Sequence, residues 1–119
     1  MTIPEFYLAN CKQMTIQDFL IATFKNENGM CFRHRLVCND GFSISVQAGY
    51  GLYCEPRRTQ EAHRSVELGF PSEEDDIINA YAESPDDYTQ TVYPYVPIDV
   101  VQELVDKHGG IDIDLVKTK

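Results

Sequence analysis

Residues 42–48, Phe42-Ser43-Ile44-Ser45-Val46-Gln47-Ala48, alternate apolar and small polar side chains with period two. A strand that buries one face and leaves the other open reads this way. Residues 30–38 precede it across the turn formers Asn39-Asp40-Gly41, and burial decides how the two segments pair. A two-residue loop of Asp40 and Gly41 would set Val46 against Arg35 and Ala48 against Arg33, placing two arginines on the apolar face. A three-residue loop with Gly41 in the left-handed position of a bulge pairs Phe42 with Cys38, Ile44 with Leu36, Val46 with His34 and Ala48 with Phe32. A slip of one residue turns every side chain over, so the second register is the one expected. It puts His34 on the core face and collects Arg33, Arg35, Ser43, Ser45 and Gln47 on the other.

The remaining elements are read around this hairpin. Residues 3–11 are too apolar for a disordered tail and form an edge strand or a short helix. Thr15 and Asp18 make an N-cap pair ahead of Ile16, Phe19, Leu20 and Phe24, predicting a helix that ends near Lys25, before Asn26-Glu27-Asn28-Gly29. Residues 49–64 form a long loop, a length that is usually functional or mobile. Residues 65–70 alternate, with Val66, Leu68 and Phe70 inward, and make a third strand. Ser72 and Asp75 have capping-box spacing at the head of a short helix to about Ala82. Residues 89–95 read as a fourth strand, at an edge or ending at Pro94. Pro97 opens a last helix that closes on Lys107, His108 and Gly109, with Val100, Val101, Leu104 and Val105 as its apolar stripe. Residues 111–116 alternate and add a strand. The sum is a single α+β domain over residues 1–119: a mostly antiparallel sheet of about four strands with two to three helices packed on one face.

Composition bounds the chemistry. The formal charge of −9 disfavours direct contact with nucleic acid or an anionic membrane, both of which need excess lysine and arginine. No apolar run approaches the roughly 20 residues of a membrane helix, and residues 1–5 lack the pattern of a secretory signal. A cytoplasmic location is therefore expected. Cys11, Cys31, Cys38 and Cys54 then read as reduced thiols, most of them small core residues. No Cys-x-x-Cys or His-x-x-x-His occurs, so neither a metal nor any other cofactor is expected. Heptads are also missing, and the oligomeric state is not legible.

Charge is segregated along the chain. No lysine or arginine stands between Ser65 and Asp106, where Glu67, Glu73, Glu74, Asp75, Asp76, Glu83, Asp86, Asp87, Asp99, Glu103 and Asp106 are all acidic. Arg33, Arg35, Arg57, Arg58 and Arg64 form the opposite pole. Three readings follow. An acidic surface, with Glu73, Glu74, Asp75, Asp76, Asp86 and Asp87 at its centre, meets a basic partner protein by field complementarity, or else is a solvated face. Alternatively Arg33, Arg35, Ser45, Gln47, Tyr53 and Arg57 hold a small anionic ligand such as a nucleotide, since arginine forks suit phosphate and tyrosine stacks on a base; the bland form of that face is a wetted sheet with Glu67 paired to an arginine. Third, Cys54 with His63 or His34 would be a nucleophile and base, although no local signature joins them. The first reading leads, and no catalytic residue is expected.

Ser45-Val46-Gln47-Ala48, Tyr53-Cys54-Glu55-Pro56-Arg57, Val66-Glu67-Leu68-Gly69-Phe70-Pro71-Ser72, Tyr95-Val96-Pro97 and His108-Gly109-Gly110 together resemble small uncharacterised proteins of tailed phages and prophages of gut bacteria. The resemblance runs from about Thr15 to Ile111. It implies a phage accessory factor in the bacterial cytoplasm, without naming an activity. Such factors include inhibitors of host defence, among them anti-CRISPR proteins that occupy a nucleic-acid-binding surface, and proteins that sequester nucleotides.

Overall fold

The computed structural model describes residues 14–60 and 62–117; the segment at 3–11 and Cys11 lie outside them. The architecture is α+β, with four strands in one antiparallel sheet of sequential order. In chain order the elements are α1 (Ile16–Ala22), β1 (Leu36–Val37), β2 (Ser43–Gln47), β3 (Ser65–Gly69), a 3-10 turn (Asn79–Tyr81), β4 (Val92–Pro97), α2 (Ile98–Lys107) and α3 (Ile113–Lys117). Ile44, Val46, Val66, Leu68, Tyr93 and Val96 of the sheet meet Ile16, Phe19 and Leu20 of α1 and Val101, Leu104 and Val105 of α2 in one buried cluster. No helix among the described residues is long and apolar enough to cross a membrane.

The hairpin closes in the register that burial selects. Leu36 pairs with Ile44, the Cys38 N–H donates to the Phe42 carbonyl at 2.8 Å, and the Gly41 N–H donates to the Cys38 carbonyl at 3.0 Å. Gly41 sits at φ 96°, a left-handed conformation that a Cβ disfavours. Gly41→Ala is expected to cost about 1 kcal/mol, read as a lower urea midpoint at unchanged m-value.

Pairing stops after two residues of β1, where a nine-residue strand over 30–38 was expected. The Gln47 side chain takes over the ladder: its Oε1 accepts the Arg33 N–H at 2.9 Å and its Nε2 donates to the Arg33 carbonyl at 2.8 Å. The backbone turns as a result, and facing reverses. Phe32 and His34 are exposed, and Arg33 is buried.

Thr15 and Asp18 cap α1 reciprocally as expected, and the helix stops at Ala22, a turn short of Lys25. Val66 and Leu68 face inward, whereas Phe70, expected inward, adopts φ 51° and is exposed. The capping box at Ser72 and Asp75 does not form. Ser72 Oγ instead accepts the Ser43 N–H at 3.0 Å, Asp75 turns into the interior, and only the 3-10 turn at Asn79–Tyr81 is helical there. Of the two expectations for β4 the edge position holds: it is the last strand of the sheet and runs through Pro94, and α2 begins directly after Pro97. At 111–116, Ile111 bridges Cys38 and the chain then coils into α3 instead of adding a strand.

The hairpin tip docks on the end of α2. Asn39 donates from N to the Gly110 carbonyl (2.9 Å) and from Nδ2 to that of Gly109 (2.7 Å), and the Asp40 N–H donates to the His108 carbonyl (3.2 Å). These donors satisfy carbonyls that a helix end leaves open. His108 stacks on Phe42 at 4.0 Å and 9°, with Nδ1 2.7 Å from Asp40 Oδ2 and Nε2 2.8 Å from Asp75 Oδ2. Both ring nitrogens face carboxylates, so both carry protons. Lys107 Nζ completes the cluster, 3.1 Å from Asp75 and 3.4 Å from Asp76.

This cluster sets a pH response. Burial works to lower the His108 pKa, but the hydrogen bonds and charges of Asp40 and Asp75 outweigh it and raise it. Burial likewise pushes Asp75 up, and the Ile77 N–H, His108 and Lys107 bring it below the ordinary carboxylate value. Asp40 is lowered by the Phe42 N–H and by His108. A raised histidine stabilises fully below its unfolded pKa of about 6.5 and loses that contribution as pH rises through the folded value. The lowered aspartates stabilise above about 4 and lose the contribution as pH falls through their folded values. Thermal midpoints are expected to peak in mildly acid buffer and to decline toward alkaline pH, and His108→Gln should flatten the alkaline decline.

Candidate functional site

The proposed anion set does not assemble on the hairpin face. Arg33 is 6% exposed, and its guanidinium donates to Thr23 Oγ1 (3.0 Å), the Ala48 carbonyl (2.9 Å) and the Leu20 carbonyl (3.0 Å). It is a buried staple between α1 and the end of β2, with burial pulling its pKa down. The Gln47 amide is occupied by the Arg33 backbone and by Ser45 Oγ, which accepts from Nε2 at 3.3 Å. Arg35 is exposed but ties Ser43 to the Phe70 carbonyl. Three of the six expected residues, Arg33, Arg35 and Gln47, therefore hold backbone in place.

Tyr53 and Arg57 do come together, in company that the sequence did not indicate. The Arg57 guanidinium lies 5.5 Å from the Tyr53 ring centroid, and its Nε donates to the Leu52 carbonyl at 3.1 Å. Tyr95 joins them through a bulge. Val66 pairs with Val96 and Leu68 with Tyr93, so Glu67 faces two residues, Pro94 and Tyr95. Tyr95 adopts φ 53°, its N–H donates to the Tyr53 carbonyl at 3.1 Å, and its ring lies 5.8 Å from that of Tyr53. Cys54, Glu55, Pro56, Arg57, Arg64 and Tyr95 line an open groove of about 570 Å³. Arg58 faces a different depression of about 480 Å³, with Tyr50 and Met30. A Tyr-Pro-Tyr run inside a strand was the available signal for the bulge.

The Cys54 and His63 pair is held apart from any nucleophilic arrangement. Burial pushes the Cys54 thiol up, and its Sγ lies 3.3 Å from the Pro56 carbonyl and 3.2 Å from the Gly49 N–H. His63 is buried, its Nε2 is 3.0 Å from the Gln60 carbonyl, and burial lowers its pKa. No hydrogen bond links the two among the described residues. Burial, with the Asp40 charge behind it, pushes Cys38 up to about 12, as suits a core thiol.

The acidic surface is largely as its sequence implies. Glu73, Glu74, Asp76, Glu83, Asp86 and Asp87 are exposed, as are Asp99, Glu103 and Asp106 along α2. The correction concerns Asp75, which is 4% exposed and belongs to the His108 cluster. Lys107 and His108 are the only cationic side chains in ion pairs among the described residues. Asp87 is fixed by the Thr89 hydroxyl and N–H at 2.7 and 3.0 Å. Among the described residues no group of three or more acidic, histidine or cysteine side chains is arranged to hold a metal ion. No protein-family model, curated protein or solved structure matches the chain.

Proposed function

We propose that this chain is a non-enzymatic accessory protein whose acidic surface binds a basic, nucleic-acid-handling protein. One observation carries the reading: apart from Asp75, the acids of residues 73–106 stand exposed, with Lys107 alone among the described lysines and arginines paired to any of them. Unneutralised charge on a compact domain costs self-repulsion, which a partner of opposite sign relieves while gaining speed and selectivity of encounter. The surface is also pre-organised. Lys107 pairs with the exposed Asp76, Thr89 fixes Asp87, and Asp99, Glu103 and Asp106 recur at helical spacing on one exposed face. Such fixation lowers the ordering cost of binding. The resemblance to phage and prophage proteins supplies the context, an inhibitor of host defence of the anti-CRISPR kind acting in the bacterial cytoplasm.

The test uses tagged protein in host lysate, beside a variant carrying Glu73→Gln, Glu74→Gln, Asp86→Asn and Asp87→Asn. The native chain should retain a basic partner at low salt, release it as salt rises, and lose it in the variant. Equal recovery by both chains, or no basic partner at low salt, would overturn the reading.

A further inference from the structure

The groove beside the β4 bulge is a second surface with a different chemistry. Arg57 and Arg64 line it from two sides of the loop and are exposed. Neither enters an ion pair among the described residues. Arg57 uses Nε on the Leu52 carbonyl, which orients the fork and leaves its terminal nitrogens without a partner among the described residues. An arginine fork oriented in this way suits a phosphate.

The aromatic wall is built at a cost. A tyrosine at φ 53° occupies a region that is unfavourable for side chains other than glycine, asparagine or aspartate. A bulge that absorbs both Pro94 and Tyr95 opposite Glu67 re-aims the side chain out of the sheet. Tyr95 stays 41% exposed, as does Tyr53, and the two rings meet at 45°. The strain is spent on presenting aromatic surface to solvent instead of filling the core. Glu55 adds an acceptor on the same lining, with Oε1 3.3 Å from Ser65 Oγ.

We propose that this groove binds a nucleoside monophosphate, its base against Tyr95, its phosphate between Arg57 and Arg64, and a sugar hydroxyl or base amine donating to Glu55. The volume of about 570 Å³ is within the range of small-molecule sites. A base can stack on the exposed part of the Tyr95 ring, which lines the groove. A long polynucleotide is disfavoured by the net charge of −9. This site is independent of the acidic surface.

The experiment is calorimetric titration of the purified full chain with each of the adenine, guanine, cytosine and uracil monophosphates. Inorganic phosphate, the parent nucleosides and a phosphotyrosine peptide serve as comparisons. At least one monophosphate should bind about tenfold or more tighter than phosphate or its own nucleoside. Arg64→Ala and Tyr95→Asn, the latter compatible with the left-handed backbone, should each weaken it about tenfold, with thermal midpoints near that of the parent. Arg58→Ala should leave binding unchanged. The inference is overturned if no monophosphate binds at millimolar concentration, if phosphate alone binds as well, if the phosphotyrosine peptide binds tighter than every monophosphate, or if Arg64→Ala and Tyr95→Asn bind like the parent. None of these outcomes alters the capture of a basic partner, so the two proposals fail separately.

Discussion

Arg33→Ala is expected to remove about 3 kcal/mol of folding stability, seen as a large fall in the urea midpoint. The substitution deletes three donors at once and leaves Thr23 Oγ1 and the carbonyls of Leu20 and Ala48 facing the interior. Hydrogen bonds from a charged donor contribute about 1.5–3 kcal/mol each, but a buried guanidinium with neutral partners also carries a desolvation cost. Those opposing terms are why the expected loss is nearer two such bonds than three. Arg33→Met keeps packing volume and removes the charge, and so should cost less than alanine. A loss within about 0.5 kcal/mol for alanine would mean that Arg33 is solvated and available after all.

Asp75→Ala should cost about 2 kcal/mol. It takes the partner from His108, whose side chain is 9% exposed, and from Lys107, whose side chain is 48% exposed. Only the histidine end is buried enough to matter, because an accessible ammonium recovers its solvation in water. Once Asp75 is gone, His108 retains Asp40 alone, so its pKa should fall and the alkaline decline in stability should begin earlier. A double-mutant cycle of Asp75→Ala with His108→Ala measures the coupling. Strict additivity would show that the imidazole and carboxylate do not interact.

Much of the fold was legible because local burial and turn chemistry agreed. The register at Ile44 and Leu36, the cap at Thr15 and Asp18, and the start of α2 after Pro97 all follow from neighbours in sequence. Reading failed where a distant partner overrode a local pattern. The Gln47 amide replaced the ladder at Arg33 and exchanged the facing of Arg33 and His34. Ser72 and Asp75 have capping-box spacing, but His108 and Lys107, 33 and 32 residues away, claim the carboxylate. In residues 111–116 a few alternating apolar residues fit either period, and docking of Ile111 beside Cys38 left the rest free to coil.

The candidate sites divide in the same way. Exposure of Glu73, Glu74, Asp76, Asp86 and Asp87 was readable because a segment without balancing cations has nowhere to bury charge. The groove was half readable: Tyr53 and Arg57 lie close in sequence, but Tyr95 reaches them only through a bulge that places Pro94 and Tyr95 against one residue of β3.

The central claim is that the acidic surface is the protein-binding face, and hydrogen exchange of the captured complex tests it most directly. Slowed exchange should fall on residues 72–89 and on the amides of α2 nearest Asp99, Glu103 and Asp106, while residues 50–58 exchange as in the free chain. Slowing at residues 50–58 with none at 72–89 would contradict it.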